Sequence, residues 1–247
     1  SRGLGGVYKR QVAYDLGGRS SSDSVVVRVD NHAPQVQVLE PVNESYLRGD
    51  VFIRVFWSDT YPDVCIVYIN GSEYNRTCVD GEYVVFWPTS GWPDGLYNVT
   101  VIAFDLAGHN NSVGLWVTVD NAKPWVEIRG VVDSEVLGGG RTMYISWFDE
   151  NPSICYLYIN ETLVNASSTN FSYLWDTRAW GDGLYNITVV AYDLAGNSNA
   201  TTVWVAVDNT APSIVFFSVD GFNVTSFLWD GETYYVVVPL GSVFSLE

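Results

Sequence analysis

Apolar and polar residues alternate with period two in the most regular stretch of the chain. At residues 185–192, Tyr185, Ile187, Val189 and Ala191 alternate with Asn186, Thr188, Val190 and Tyr192. Such an alternation predicts a strand with its odd-numbered residues facing a core. A second copy places Tyr97, Val99, Val101 and Ala103 on the inward face. Leu115–Val119 and Val203–Val207 predict the strand that follows each. Asp-Gly at 94–95 and 182–183 marks the turn that opens each alternating strand. Helical periodicity is missing, and the longest apolar runs are strand-sized, short of the roughly 18 residues of a membrane span.

The alternation repeats because the chain repeats. Asp94–Pro124 and Asp182–Pro212 share 19 identities in 31 gapless positions. Trp57-Ser-Asp59, Pro62, Cys65 and Tyr68-Ile-Asn70 recur 90 residues later as Trp147-Phe-Asp149, Pro152, Cys155 and Tyr158-Ile-Asn160. Asp-Asn-x-x-Pro closes three units, at Asp30, Asp120 and Asp208. Units near 90 residues with turns at strand spacing predict an all-β fold, a sandwich of two antiparallel sheets. A parallel sheet would need crossover helices for which there is no room. The expected organisation is a partial domain at 1–32 (its last two strands), complete domains at 33–121 and 122–209, and the first strands of another at 210–247.

The run Trp175-Asp-Thr-Arg-Ala-Trp180-Gly-Asp-Gly-Leu-Tyr185, continuing to Asp208-Asn-Thr-Ala-Pro212, resembles the tandem immunoglobulin-like repeats of prokaryotic surface proteins, with an archaeal flavour. The resemblance implies an elongated array outside the cell, in a stalk, surface layer, adhesin or spacer. Ser1–Gln11 resembles a translated sequencing adapter apart from Gly6, the mark of a metagenomic gene fragment. Lys9 and Gln11 fall where the repeat wants inward apolar residues, so Ser1–Gln11 is expected to lack a defined partner.

Charge narrows the function. The 28 Asp and Glu outnumber the 12 Lys and Arg, for a net charge of −16, which excludes a nucleic-acid partner. With 47% hydrophobic residues the chain is not a disordered one. Eleven of its 17 asparagines begin an Asn-x-Ser/Thr triplet: Asn43, Asn70, Asn75, Asn98, Asn110, Asn160, Asn165, Asn170, Asn186, Asn199 and Asn223. Chance would give about one in seven from the Ser and Thr content, so these are candidate glycosylation sites of a secreted chain.

Three further features carry expectations. A two-residue turn at Gly71-Ser72 would place Cys65 opposite Cys78, within reach of a cross-strand disulfide, and leave Cys155 a free buried thiol. Eight of the ten tryptophans form repeat-equivalent pairs (57/147, 87/175, 92/180 and 116/204), which reads as shared core; Trp125 and Trp229 stand alone. The junction residues Asp120, Asn121, Asp208 and Asn209 offer hard oxygen ligands, with Asp105 and Asp193 as neighbours. They are too few on their own for the six to eight oxygens of calcium, so no cofactor is assigned. Neither histidine belongs to a zinc spacing, and no nucleophile elbow or phosphate loop occurs. The expectation is a non-catalytic spacer of an extracellular surface protein, whose partners are neighbouring domains and, in the alternative, surface glycans or other surface proteins; an accessory array of a secreted hydrolase is the third reading.

Overall fold

The computed structural model describes residues 7–212 continuously, and beyond them the short strands Ser218–Val219, Phe222–Asn223, Phe227–Trp229 and Tyr234–Val236. Most of the expected 210–247 half-unit therefore lies outside the described residues. At the other end, β1 (Val7–Tyr14) and β2 (Ser20–Val27) form an antiparallel hairpin. Lys9 lies opposite Val25 and Gln11 opposite Asp23. This corrects the expectation of no partner for Val7–Gln11, because a backbone ladder tolerates polar side chains; the first six residues lie outside the described ones. Val12, Tyr14, Val25, Val26 and Val27 stay exposed on it.

Residues 35–119 fold as one sandwich. Its strands are β3 (Gln35–Glu40), β4 (Tyr46–Leu47), β5 (Asp50–Ser58), β6 (Pro62–Ile69), β7 (Ser72–Thr77), β8 (Gly81–Pro88), β9 (Gly95–Asp105) and β10 (Asn110–Val119). Three strands form one sheet in the order β3-β5-β8, and five form the other in the order β4-β10-β9-β6-β7. The first strand is divided between the two sheets. β3 runs antiparallel to β5, and β4 crosses over to lie parallel to β10.

The second sandwich repeats this in β11 (Trp125–Arg129), β12 (Glu135–Leu137), β13 (Gly140–Phe148), β14 (Pro152–Ile159), β15 (Thr162–Ser167), β16 (Phe171–Asp176), β17 (Gly183–Asp193) and β18 (Ser198–Val207). Its sheets run β11-β13-β16 and β12-β18-β17-β14-β15. The fold is all-β, tandem and immunoglobulin-like. The described helical residues are two three-residue 3-10 turns, Thr89–Gly91 and Thr177–Ala179.

Each sandwich has its own core. Val99, Val101 and Ala103 are fully buried in the first, and Ile187, Val189 and Ala191 in the second, as the alternation requires. Trp57, Trp87, Trp147 and Trp175 are buried, while Trp92 and Trp180 pack edge-on against Trp87 and Trp175. The hydroxyl of Tyr97 donates to the Pro93 carbonyl, and that of Tyr185 to the Gly181 carbonyl, each at 2.8 Å. These are the tyrosine corners of immunoglobulin-like sandwiches, which pin the connection between sheets. Trp116 and Trp204 correct the expectation that every paired tryptophan is core. They are 49% and 45% exposed, because Leu115 and Val117 in one strand, and Val205 and Val207 in the other, take the inward positions.

The hairpin joining β6 to β7 also differs from expectation. Its turn is Asn70-Gly71, both with positive φ (48° and 77°), and Ile69 lies opposite Ser72. That is the type I′ geometry that Asn-Gly favours. A register shift between Val67 and Tyr68 then brings Cys65 opposite Thr77. Cys65 is buried and Cys78 exposed, and both thiols are free. One residue of slip turns neighbouring side chains to opposite faces, so the proposed Cys65–Cys78 bridge does not form here. Cys155 is free and buried.

Candidate metal centre at the domain junctions

The Asp-Asn-x-x-Pro motif does two separate jobs. Its asparagine belongs to the preceding sandwich. Asn121 Oδ1 accepts from the Gly49 backbone N–H at 2.9 Å and its Nδ2 donates to the Thr89 carbonyl at 3.1 Å. Asn209 repeats this with Gly139 and Thr177. Both amides are turned toward backbone, so these two candidates are plugs between loops rather than ligands to the junction.

The aspartate faces the next sandwich. Asp120, Asp149 and Asp193 come together at the second junction, one carboxylate oxygen of each within 4.8 Å of the others. All three are buried, at 2%, 8% and 3% exposure. Asp120 follows β10, Asp149 follows β13 and Asp193 ends β17, so three elements from two domains converge. Asn151 Nδ2 donates to Asp120 Oδ2 at 2.9 Å. Asn197 Nδ2 donates to Asp193 Oδ2 at 2.7 Å and to the Asp120 carbonyl at 2.9 Å. Arg48, from the loop between β4 and β5, stands behind Asn197 at 3.5 Å from its Oδ1. Burial, then the charges of Asp120 and Asp193, push the Asp149 carboxyl above the usual carboxylate range, against the Asn151 backbone N–H that favours its charged form.

The first junction has the same plan. Asp30, Asp59 and Asp105 each place a carboxylate oxygen within 4.8 Å of the others. Asp30 Oδ1 accepts from the His32 N–H, Asp59 Oδ1 from the Tyr61 N–H, and Asp105 Oδ1 from Ala107 and His109 N–H. His109 Nδ1 lies 2.8 Å from Asp105 Oδ2. Burial opposes ionisation of Asp105, but the His109 side chain and the backbone donors outweigh it and hold its carboxyl below the ordinary range. Tyr61 occupies the place of Asn151, with the Arg28 guanidinium 5.6 Å above its ring. Asp208 is exposed and caps Thr210.

Asp59 and Asp149 were not among the expected ligands. Their signal was the recurrence of Trp-x-Asp-x-x-Pro at an offset of 90 residues.

A cleft of about 590 Å³ opens beside the second junction, lined by Asp94, Lys123, Trp125, Phe148, Glu150 and Asn151 among others. Trp125 and Phe148 lie opposite each other on β11 and β13, and both are largely exposed.

None of the ten sequon asparagines at described positions is buried. Asn98, Asn165 and Asn186 are half-buried, and Asn43, Asn70, Asn75, Asn110, Asn160, Asn170 and Asn199 are exposed; the Asn223 side chain lies outside the described residues. Asn43, Asn70, Asn160 and Asn170 use Oδ1 to accept from the backbone N–H groups of Trp116, Asn98, Asn186 and Trp147. Asn98 lies directly opposite Trp116, and Asn186 opposite Trp204.

No protein-family model matches the chain, and no curated protein sequence matches it. Among solved structures it is similar to the fibronectin(III)-like modules of Clostridium thermocellum CbhA, at 16% identity over 71% of this chain and 94% of that one, with a TM-score of 0.47. A tetra-tandem repeat from the extending region of a large adhesion protein is 19% identical over 83% of this chain and 57% of that one (TM-score 0.35). A 1.5-MDa bacterial ice-binding adhesin is 16% identical over 74% and 67% (TM-score 0.36).

Proposed function

We propose that the chain is a non-catalytic spacer segment of a secreted, N-glycosylated cell-surface protein, its domains serving as rungs of a longer array. The observation that carries this reading is the placement of the sequons. Ten asparagines spread over two sandwiches all reach the surface, and four of them, Asn43, Asn70, Asn160 and Asn170, accept a backbone N–H from a distant strand through Oδ1 while Nδ2 is left for a sugar. Trp116 and Trp204 add support, since an exposed indole beside Asn98 or Asn186 offers an apolar face for the first sugar ring. The test is secretion from an N-glycosylating host followed by glycopeptide mapping. Occupancy is expected at Asn43, Asn70, Asn160 and Asn170, and a secreted chain with no glycan would overturn the reading.

A second reading rests on the cleft. Exposed Trp125 and Phe148 beside Asp94, Glu150 and Asn151 combine stacking surface with hydrogen-bonding groups, the composition of a carbohydrate subsite. Titration with oligosaccharides while following tryptophan fluorescence would test it. A response that survives Trp125→Ala would place binding elsewhere.

A further inference from the structure

We propose that the first junction is a divalent-cation site of calcium type, with Asp30, Asp59 and Asp105 as its protein ligands, and that the second junction is its cation-independent counterpart. Three carboxylates alone would not make the case, since both junctions have them. The difference lies in what satisfies the oxygens. Asp30 has a side chain only 8% exposed, and its Oδ2 is buried with no hydrogen-bond partner among the described residues. The repeat-equivalent Asp120 Oδ2 receives the Asn151 amide. A buried carboxylate oxygen without a donor is costly and needs an occupant.

Backbone N–H groups hold Oδ1 of each aspartate, and among the described residues nothing donates to the Oδ2 of Asp30 or of Asp59. The Asp105 side chain is fully buried, and His109 Nδ1 holds its Oδ2 at 2.8 Å, as the groups surrounding a metal site brace its ligands. Among the described residues no lysine or arginine pairs with any of the three. The nearby Arg28 is spent on the ring of Tyr61. Oxygens within 4.8 Å of one another suit a cation with ligands at about 2.3–2.6 Å on either side, and hard carboxylates favour calcium. Water would complete the shell. A cation here would tie Asp30, in the link after β2, to Asp59 and Asp105 of the next sandwich.

Calorimetric titration of the full chain, stripped with chelator, tests this with calcium and, separately, magnesium. One calcium per chain is expected, with a dissociation constant on the order of 0.1–1 mM and weaker magnesium binding. Asp30→Asn and Asp59→Asn should each weaken binding at least tenfold while melting no lower than the parent chain in chelator. Asp149→Asn should leave the titration unchanged. Binding retained in both Asp30→Asn and Asp59→Asn, binding lost in Asp149→Asn, or no heat at 10 mM calcium would each overturn the proposal.

Discussion

At position 61 the first junction carries a tyrosine where the second carries Asn151, and at position 109 a histidine where the second carries Asn197. Those two exchanges separate junctions that share their backbone plan and all three aspartates. In the second, two side-chain amides donate to the buried carboxylates of Asp120 and Asp193, and Arg48 reaches the Asn197 amide oxygen. In the first, the Tyr61 ring lies under the Arg28 guanidinium, and Asp30 Oδ2 has no donor among the described residues. Repeat proteins thus keep the costly part of a joint constant and vary the donors around it. The sandwiches between the joints show the reverse pattern, with core, corner and turn kept alike.

The likeness of the cores gives the largest test. Trp87→Ala and Trp175→Ala should each destabilise their own sandwich by about 3–5 kcal/mol, seen as one early transition in denaturant unfolding. Costs that differ by more than about 2 kcal/mol would break the equivalence of the two units. Next comes the second junction. Asn151→Ala strips the donor from Asp120 Oδ2 and should cost about 1–3 kcal/mol in the same measurement, the penalty of an orphaned buried acceptor. Tyr61→Asn should do the opposite at the first junction, raising the melting temperature in chelator. Tyr97→Phe and Tyr185→Phe remove one hydrogen bond each and should cost about 1 kcal/mol apiece.

Asp149→Asn should stabilise the chain at pH 7, on the order of 1 kcal/mol, by relieving repulsion from Asp120 and Asp193. Because the folded state raises the pKa of Asp149, its protonated form favours folding and its ionised form opposes it. The advantage of the variant should therefore shrink as pH falls through the carboxylate range, and stability measured between pH 4 and 7 checks this. The smallest effect is chemical. An alkylating reagent should modify Cys78 first, because burial raises the Cys65 thiol and pushes Cys155 up to about 11.

The strands, their inward faces and the repeat were legible because period two and an offset near 90 residues are local properties of the chain. Register was harder. Asn70-Gly71 is the stronger turn signal, and a turn placed one residue later put Cys78 on the wrong face, while the shift between Val67 and Tyr68 has no simple local mark. The junction was half legible. Asp120 and Asp193 stand in the repeated motif, but Asp149 arrives from the strand connection of the following domain, a proximity that only the fold creates. Asn121 and Asn209 misled because an oxygen at a boundary says nothing of which way it points.

The parallel pairing of β4 with β10 has a mechanical consequence. Traction on an array's two ends would pull β4 back toward its start and β10 onward past its end, so the two slide along each other. The bonds from Glu44 N to Trp116 O, Thr118 N to Ser45 O and Asp120 N to Leu47 O then share the load instead of opening one by one. The second sandwich has the same clamp, from Ser134 N to Trp204 O and from Asp208 N to Leu137 O. Asp120 holds the clamp by its backbone and the next domain by its side chain, so one residue couples the joint directly to the grip that resists tension.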